Sequence, residues 1–550
     1  MSVLPSRPRV AGHGARVAAF LFPLLLLLPL LPLSAQERPE AALAKRIEEI
    51  INRGDAAKAF WGIEVYALGR GRTLYSLNAH RYFLPASVAK LFTTAAAMDL
   101  LGPDYQFRTL VGARSRIDRS GRLLGNLYLV GGGDPDLGGC ALPYTPEEKE
   151  EACDATRTLD QLAEQVAANG VRTVTGDLII DQSFFAPEPY APGWAVGDLQ
   201  WGYGAPVRAL SLADNVLTLT VEPGEQANDR GRLTWEPFTR FYDVQNQTWT
   251  APAGAETHLW VRRDPGSRVL ELAGPIALDQ KPRRLRVAIE EPSEFIGELF
   301  REALERRGVR LLGRVQALYA PAPPFSVQQT TVLPVLLAER VSRPLVDDVT
   351  FINKVSVNLH AEMLLRLLGR QEPPPAPIGE RLRQPPEPPV RRADGSAEAG
   401  LAVLRLWLAN AGVNPNDVEL EDGSGLSRSD LVTPHAAVQL LKYVEAQPWR
   451  PLFVESLAVA GVDGTLEERM KEGPARGRVR AKTGSLGDTN TLAGIVQTTS
   501  GETLLFAVFV NHRTLEGKQA LALVDELCAA LAELPPTTKA ETRKAKTEKR

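Results

Sequence analysis

Apolar positions along this chain follow two periods, and the points where one gives way to the other mark its elements. Over residues 41–52 they recur at helical spacing, which predicts a short amphipathic helix. Residues 61–68 alternate with period two, and residues 72–77 do so again, which predicts a β-hairpin. Pro85 ends that segment. From Ser87 the helical spacing returns, with Val88, Leu91, Phe92, Ala95 and Met98 on one stripe, and Gly102-Pro103 stops it.

The pattern changes from Gln106. Short alternating or β-branched runs at 107–111, 123–130, 171–180, 217–221 and 259–261 predict strands punctuated by Gly and Pro. Helical spacing interrupts them at 159–168 and 294–307, and 311–318 returns to strand. A largely helical block is predicted over 332–368 and another helix over 397–411. Two strands, 491–499 and 502–510, turn at Ser500-Gly501, and a final helix covers 515–531. The segment 372–389 holds eight prolines, which exclude a regular helix or sheet interior and predict an extended surface loop.

Composition adds limits. A chain of 550 residues is too long for one compact core and predicts two to four domains. With 44% hydrophobic and 23% charged residues it reads as globular, and a net charge of -3 gives no case for nucleic-acid binding. Three cysteines exclude a disulfide-built scaffold. The first 35 residues stand apart. Arg7, Arg9 and Arg16 precede an apolar run over 17–33, and Leu33-Ser34-Ala35 precedes polar Gln36, the pattern of a secretory signal. Pro23, Pro29 and Pro32 suit a spanning anchor poorly. The expectation is export to the periplasm or another extracytoplasmic compartment, where Cys140 and Cys153 can pair. Residues 539–550 carry six basic and two acidic side chains, read as a solvated tail or a peripheral contact to anionic membrane or wall polymer.

Three short motifs carry chemistry: Ser87-Val-Ala-Lys90, Ser356-Val-Asn358 and Lys482-Thr483-Gly484. Ser87 and Lys90 sit three apart at a helix start, so both project on one face. A serine hydroxyl is a weak nucleophile until a base takes its proton, and a lysine is that base only when neutral. Burial and a nearby cation such as Lys482 both favour the neutral form. The helix start also offers backbone N–H groups to a developing oxyanion. Ser356 can relay a proton to a departing amine, and Asn358 can both donate to and accept from a peptide backbone. Lys482 and Thr483 can bind a free carboxylate, while Gly484 leaves room for substrate to lie beside the strand. Each motif alone is common; the ordered set, with a helix after the first and a hairpin and helix after the third, is specific.

On these residues the chain resembles the low-molecular-weight class C penicillin-binding proteins, D-Ala-D-Ala carboxypeptidase/endopeptidases. Supporting phrases include Leu129-Val-Gly-Gly-Gly-Asp-Pro135, Tyr203-Gly-Ala-Pro-Val207, Asp422-Gly-Ser-Gly-Leu-Ser427 and Gly461-Val-Asp-Gly-Thr465. The resemblance implies an α+β multidomain fold: a serine β-lactamase/DD-peptidase-like transpeptidase domain, with an antiparallel sheet and helices, carrying inserted β-rich domains. The expected organisation is a signal over 1–35, catalytic parts at 36–105 and 321–534, inserted domains at 106–320, the proline-rich loop, and a basic tail over 535–550. It further implies Ser87 as acyl-ester nucleophile, Lys90 as general base, Ser356 as proton shuttle, Asn358 as substrate-amide ligand, and Lys482 as the holder of the terminal D-Ala carboxylate. The oxyanion would lie between the backbone N–H groups of Ser87 and Ser485. The implied partners are peptidoglycan stem peptides, and β-lactams as covalent inhibitors. No cofactor or metal is implied.

Two other readings use the same motifs: a β-lactamase-like hydrolase, and a non-hydrolytic penicillin sensor or wall-binding protein. The long stretch between Ser87 and Ser356 argues against the first, and an intact nucleophile–base set against the second. No histidine has a Gly-x-Ser-x-Gly partner, and Gly131-Gly-Gly-Asp134 lacks the lysine of a phosphate loop. Asp134 and Asp136 are read as part of a tight loop rather than a cation site. Asp422 and Ser424 have no derivable chemical role, and a turn-forming one is as good.

Overall fold

The computed structural model describes residues 39–145, 154–320, 333–371 and 393–536. The expected signal, Cys153, the proline-rich segment and most of the basic tail lie outside the described residues.

A six-stranded antiparallel sheet organises the catalytic half. Its order is Ala458–Val459, Val479–Leu486, Thr489–Gln497, Thr503–Asn511, Phe60–Ala67 and Arg72–Leu77. The first long strand of the chain therefore pairs with the last, Phe60 opposite Asn511 and Ala67 opposite Leu504. Period-two alternation gives this sheet two apolar faces. Leu504, Phe506, Val508 and Val510 pack under the helices Pro39–Ile51 and Gly517–Ala532. Leu505, Ala507 and Phe509 face the other way, into a helical cluster built from Ala89–Leu100, Leu345–Val355, Asn358–Leu368, Ala397–Asn410 and Pro434–Glu445. The predicted hairpin, the helix after Ser87 and the C-terminal strands and helix are all present within a few residues of their expected bounds.

Between the two parts of this sheet the chain builds a β-rich region. A five-stranded mixed sheet runs Val315–Leu318, Leu178–Asp181, Leu127–Val130, Arg108–Ala113, Val335–Val341. Three three-stranded sheets and the helices Arg157–Ala168 and Pro292–Arg306 complete it. The helical expectation over 332–368 is corrected at its start. Val335–Val341 is a strand that pairs with Arg108–Ala113, with a register shift between Leu336 and Ala338. The β-rich region's own sheet thus extends past residue 320, and the helical block begins at Leu345.

Asp134 and Asp136 do form a tight loop. The Asp134 carboxylate accepts from Asp136 N at 3.0 Å and meets Arg340 at 3.2 Å, while Asp136 accepts from the backbone of Cys140 and Ala141. Cys140 is disulfide-bonded, and Cys528 is free and buried. His360, read as a surface or core histidine, is a core one, held between Asp348 at 2.5 Å and Asp214 at 3.1 Å. Burial alone would lower its pKa; the two carboxylates outweigh that and raise it to about 10, so it sits as a buried imidazolium.

Candidate active site

Ser87 stands in a single 3-10 turn, Ala86–Val88, that leads directly into the helix Ala89–Leu100. Ala86 before it has φ of 44°, a left-handed conformation that costs an alanine on the order of 1 kcal/mol. The Ala86 carbonyl lies so close to Gly425 that a Cβ there would sit 1.8 Å from it.

One turn on, the side chain of Lys90 is fully buried. Its ammonium donates to Ser87 Oγ at 2.9 Å, to Asn358 Oδ1 at 2.6 Å and to the Ser424 carbonyl at 2.6 Å. These three acceptors come from three distant parts of the chain and use all the donors a lysine has. Burial pushes Lys90 down to about 8, against the upward pull of Asp422, Glu362 and Asp430. A lysine near 8 is neutral often enough at neutral pH to accept a proton.

The second motif ends one helix and begins the next. Ser356 caps Leu345–Val355 in the left-handed region with φ of 70°, and Asn358 opens Asn358–Leu368. Asn358 is used at both ends, since its amide also donates to the Tyr203 carbonyl at 2.8 Å. The third motif lies on the strand Val479–Leu486. Lys482 is fully buried and donates to Ser356 Oγ at 2.7 Å. Burial, and after it the charge of Lys90, hold Lys482 well below the usual lysine range. Thr483 hydrogen-bonds Thr465 at 2.8 Å, and the exposed Ser485 accepts from Asn490 at 3.0 Å.

All eight residues singled out from the sequence therefore fall in one place. The reason given for Gly484 needs amending. A Cβ there would meet Thr491 Oγ1 at 2.2 Å and both Pro85 O and Ser87 N at 2.9 Å. The space that glycine leaves is filled by the nucleophile turn itself, which presses against the strand and is pinned by Thr491 donating to the Pro85 carbonyl at 2.7 Å.

Asp422 takes the turn-forming role. Its carboxylate accepts from the backbone of Ser424, Gly425 and Ser427, which aims the Ser424 carbonyl at Lys90. It also accepts from the Trp194 indole at 2.8 Å, a contact from the β-rich region that the sequence did not signal. Glu362 was missed as well. It is buried, accepts from Gly423 N at 2.9 Å, and is pushed up to about 8, first by burial and then by Asp422. Tyr203 lay within a phrase already noted, but a backbone carbonyl leaves no mark on residue type.

A paired serine and buried lysine, a second serine–lysine pair and a bridging asparagine form an acyl-transfer arrangement. Comparison with known proteins gives the family. The model of the D-Ala-D-Ala carboxypeptidase 3 (S13) family matches residues 43–380 and 389–531. The chain belongs to this family. It is accordingly a serine-type D-Ala-D-Ala carboxypeptidase, a low-molecular-weight class C enzyme. The D-alanyl-D-alanine carboxypeptidase of Actinomadura sp. (strain R39) is 34% identical over 96% of this chain and 93% of its own length. The D-alanyl-D-alanine carboxypeptidase DacB of Haemophilus influenzae is 26% identical over 81% of this chain and 84% of its own. The crystal structure of penicillin binding protein 4 (dacB) from Haemophilus influenzae superposes with a TM-score of 0.70 at 24% identity, covering 89% of this chain and 98% of that one. The S13 match is interrupted only at 381–388, inside the proline-rich segment.

Proposed function

We propose that this S13 enzyme is exported and trims peptidoglycan stem peptides through an acyl-enzyme on Ser87. The single observation that carries the reading is the 2.9 Å contact from the fully buried Lys90 to Ser87. Neutral Lys90 takes the Ser87 proton as Oγ attacks the carbonyl of the penultimate D-Ala. The oxyanion is held by the backbone N–H groups of Ser87 and Ser485. Collapse breaks the C–N bond, and the proton passes through Ser356 to the departing amine. Lys482 and Thr483 hold the terminal carboxylate, and Asn358 holds the substrate amide. Water then hydrolyses the ester. A β-lactam would acylate Ser87 by the same steps and leave slowly.

The test is incubation of purified protein with a fluorescent penicillin and with a muropeptide ending in D-Ala-D-Ala, each followed by mass spectrometry. A stable adduct on Ser87 with released D-Ala is the expected result. An adduct on another residue, or none, overturns the mechanism, and an adduct without any peptide cleavage favours the penicillin-sensor reading.

A further inference from the structure

Three fully buried carboxyl groups act on Lys90: those of Asp422, Glu362 and Asp430. Their surroundings differ. Asp422 accepts from the backbone of Ser424, Gly425 and Ser427 at 3.0, 2.6 and 2.8 Å, from the Trp194 indole at 2.8 Å and from the Ser424 hydroxyl at 3.2 Å. Both of its oxygens are served. Glu362 accepts only from Gly423 N at 2.9 Å, on Oε1, and its Oε2 has no hydrogen-bond partner among the described residues. Asp430 is in the same position, with Glu421 N at 2.8 Å on Oδ1 and nothing on Oδ2.

The cations of Glu362's own helix, Asn358–Leu368, are engaged elsewhere. Arg366 turns to Glu188 at 3.0 Å, and His360 is held by Asp348 and Asp214. The Ser424 hydroxyl beside Glu362 has a single proton, which goes to Asp422. A buried carboxylate short of donors is unfavourable, whereas the neutral acid carries no such penalty. Asp422 is therefore the anion of the three, and Glu362 and Asp430 keep their protons. In keeping with this, burial and then Asp422 push Glu362 up to about 8.

The difference bears on Lys90. Its base role needs the neutral amine, and one anion, Asp422, already favours the ammonium. A second would hold the proton more firmly.

We infer that Glu362 is a positioning residue that acts through Lys90 by its own proton: as a neutral acid it leaves Lys90 able to become the base, and once ionised it keeps Lys90 charged. The inference rests on the base role of Lys90 in the proposed function. The two groups then titrate as a pair, each holding its proton more tightly once the other has lost one, so acylation rises with pH over a span wider than one proton's.

The experiment measures the penicillin acylation rate of Ser87 against pH for wild type and Glu362→Gln, which keeps the side chain's shape and an acceptor for Gly423 N but cannot ionise. The midpoint is expected to move to lower pH by roughly half a unit, acylation at neutral pH to be about threefold faster, and the rise to narrow to that of one proton. A midpoint unchanged or moved to higher pH overturns the inference, even where stability has fallen, since a purely structural role alters stability alone. Infrared titration of the wild-type protein needs no variant. A protonated-carboxyl band is expected at neutral pH, weakening as pH rises through about 8; a band absent at neutral pH, or constant through that range, overturns the inference as well. A wild type that takes no penicillin on Ser87 overturns the proposed function instead.

Discussion

At the scale of single residues, the proposed mechanism gives two buried lysines different tasks, set by their surroundings. Lys90 is held near 8 and must be neutral to act as base. Acylation by penicillin should therefore be slow where Lys90 is protonated, rise with pH through about 8, and level off above it. Stopped-flow acylation rates across that range check this, and a flat profile would remove Lys90 from the base role. Lys482 has the opposite requirement. Its pKa is depressed in the free protein, whereas a bound carboxylate favours the charged form. KM for substrates with a free terminal carboxylate should then rise as pH rises through that depressed pKa, and KM for amidated ones should not. Lys482→Ala should cost free-carboxylate substrates on the order of tenfold to a hundredfold more than amidated ones. Steady-state kinetics on the matched pair decides it. These residues stood out in the sequence because three short motifs in order name them, and the structure brings them together. Glu362 and Trp194 did not, since a buried carboxyl and an indole reveal their partners only once the loop 422–427 is folded.

At the scale of elements, the site depends on how closely the nucleophile turn meets the strand Val479–Leu486. Gly484→Ala would force Pro85, Ser87 and Thr491 apart. A displacement near 1 Å at the reacting atoms lowers rates on the order of a hundredfold. Penicillin acylation by Gly484→Ala should fall by that amount while the circular-dichroism spectrum stays native; wild-type acylation would refute the packing argument. The elements of this half were readable because long apolar alternations fix strand and face together. The β-rich region was read less completely. Asp243–Ala251 is largely polar and Arg283–Ala288 is half arginine, and both escaped notice, because their partners rather than their own composition make them strands. Val335–Val341 was taken for helix because its apolar residues run consecutively. Its bulged pairing with Arg108–Ala113 overrides that local pattern.

At the scale of the molecule, the β-rich region is part of the site's framework. It supplies the Tyr203 carbonyl to Asn358 and the Trp194 indole to Asp422. Trp194→Phe keeps the ring's bulk and removes one donor to a buried carboxylate. It should cost about 1–2 kcal/mol of stability, measured by denaturant unfolding. An unchanged midpoint would show that water replaces the indole.

The pairing of Phe60–Ala67 with Thr503–Asn511 has a consequence in time. A chain made from its N-terminus carries the nucleophile early, yet the strand that must lie beside its first strand is among the last to emerge. Contacts so distant in sequence close late and slowly. The β-rich region, all of whose strands end by Val341, is complete in sequence before those last strands emerge and can consolidate first. Any chain cut short of its last strand carries Ser87 and Lys90 without the wall that positions them. Competence for catalysis is thus withheld until synthesis is nearly finished, by topology alone.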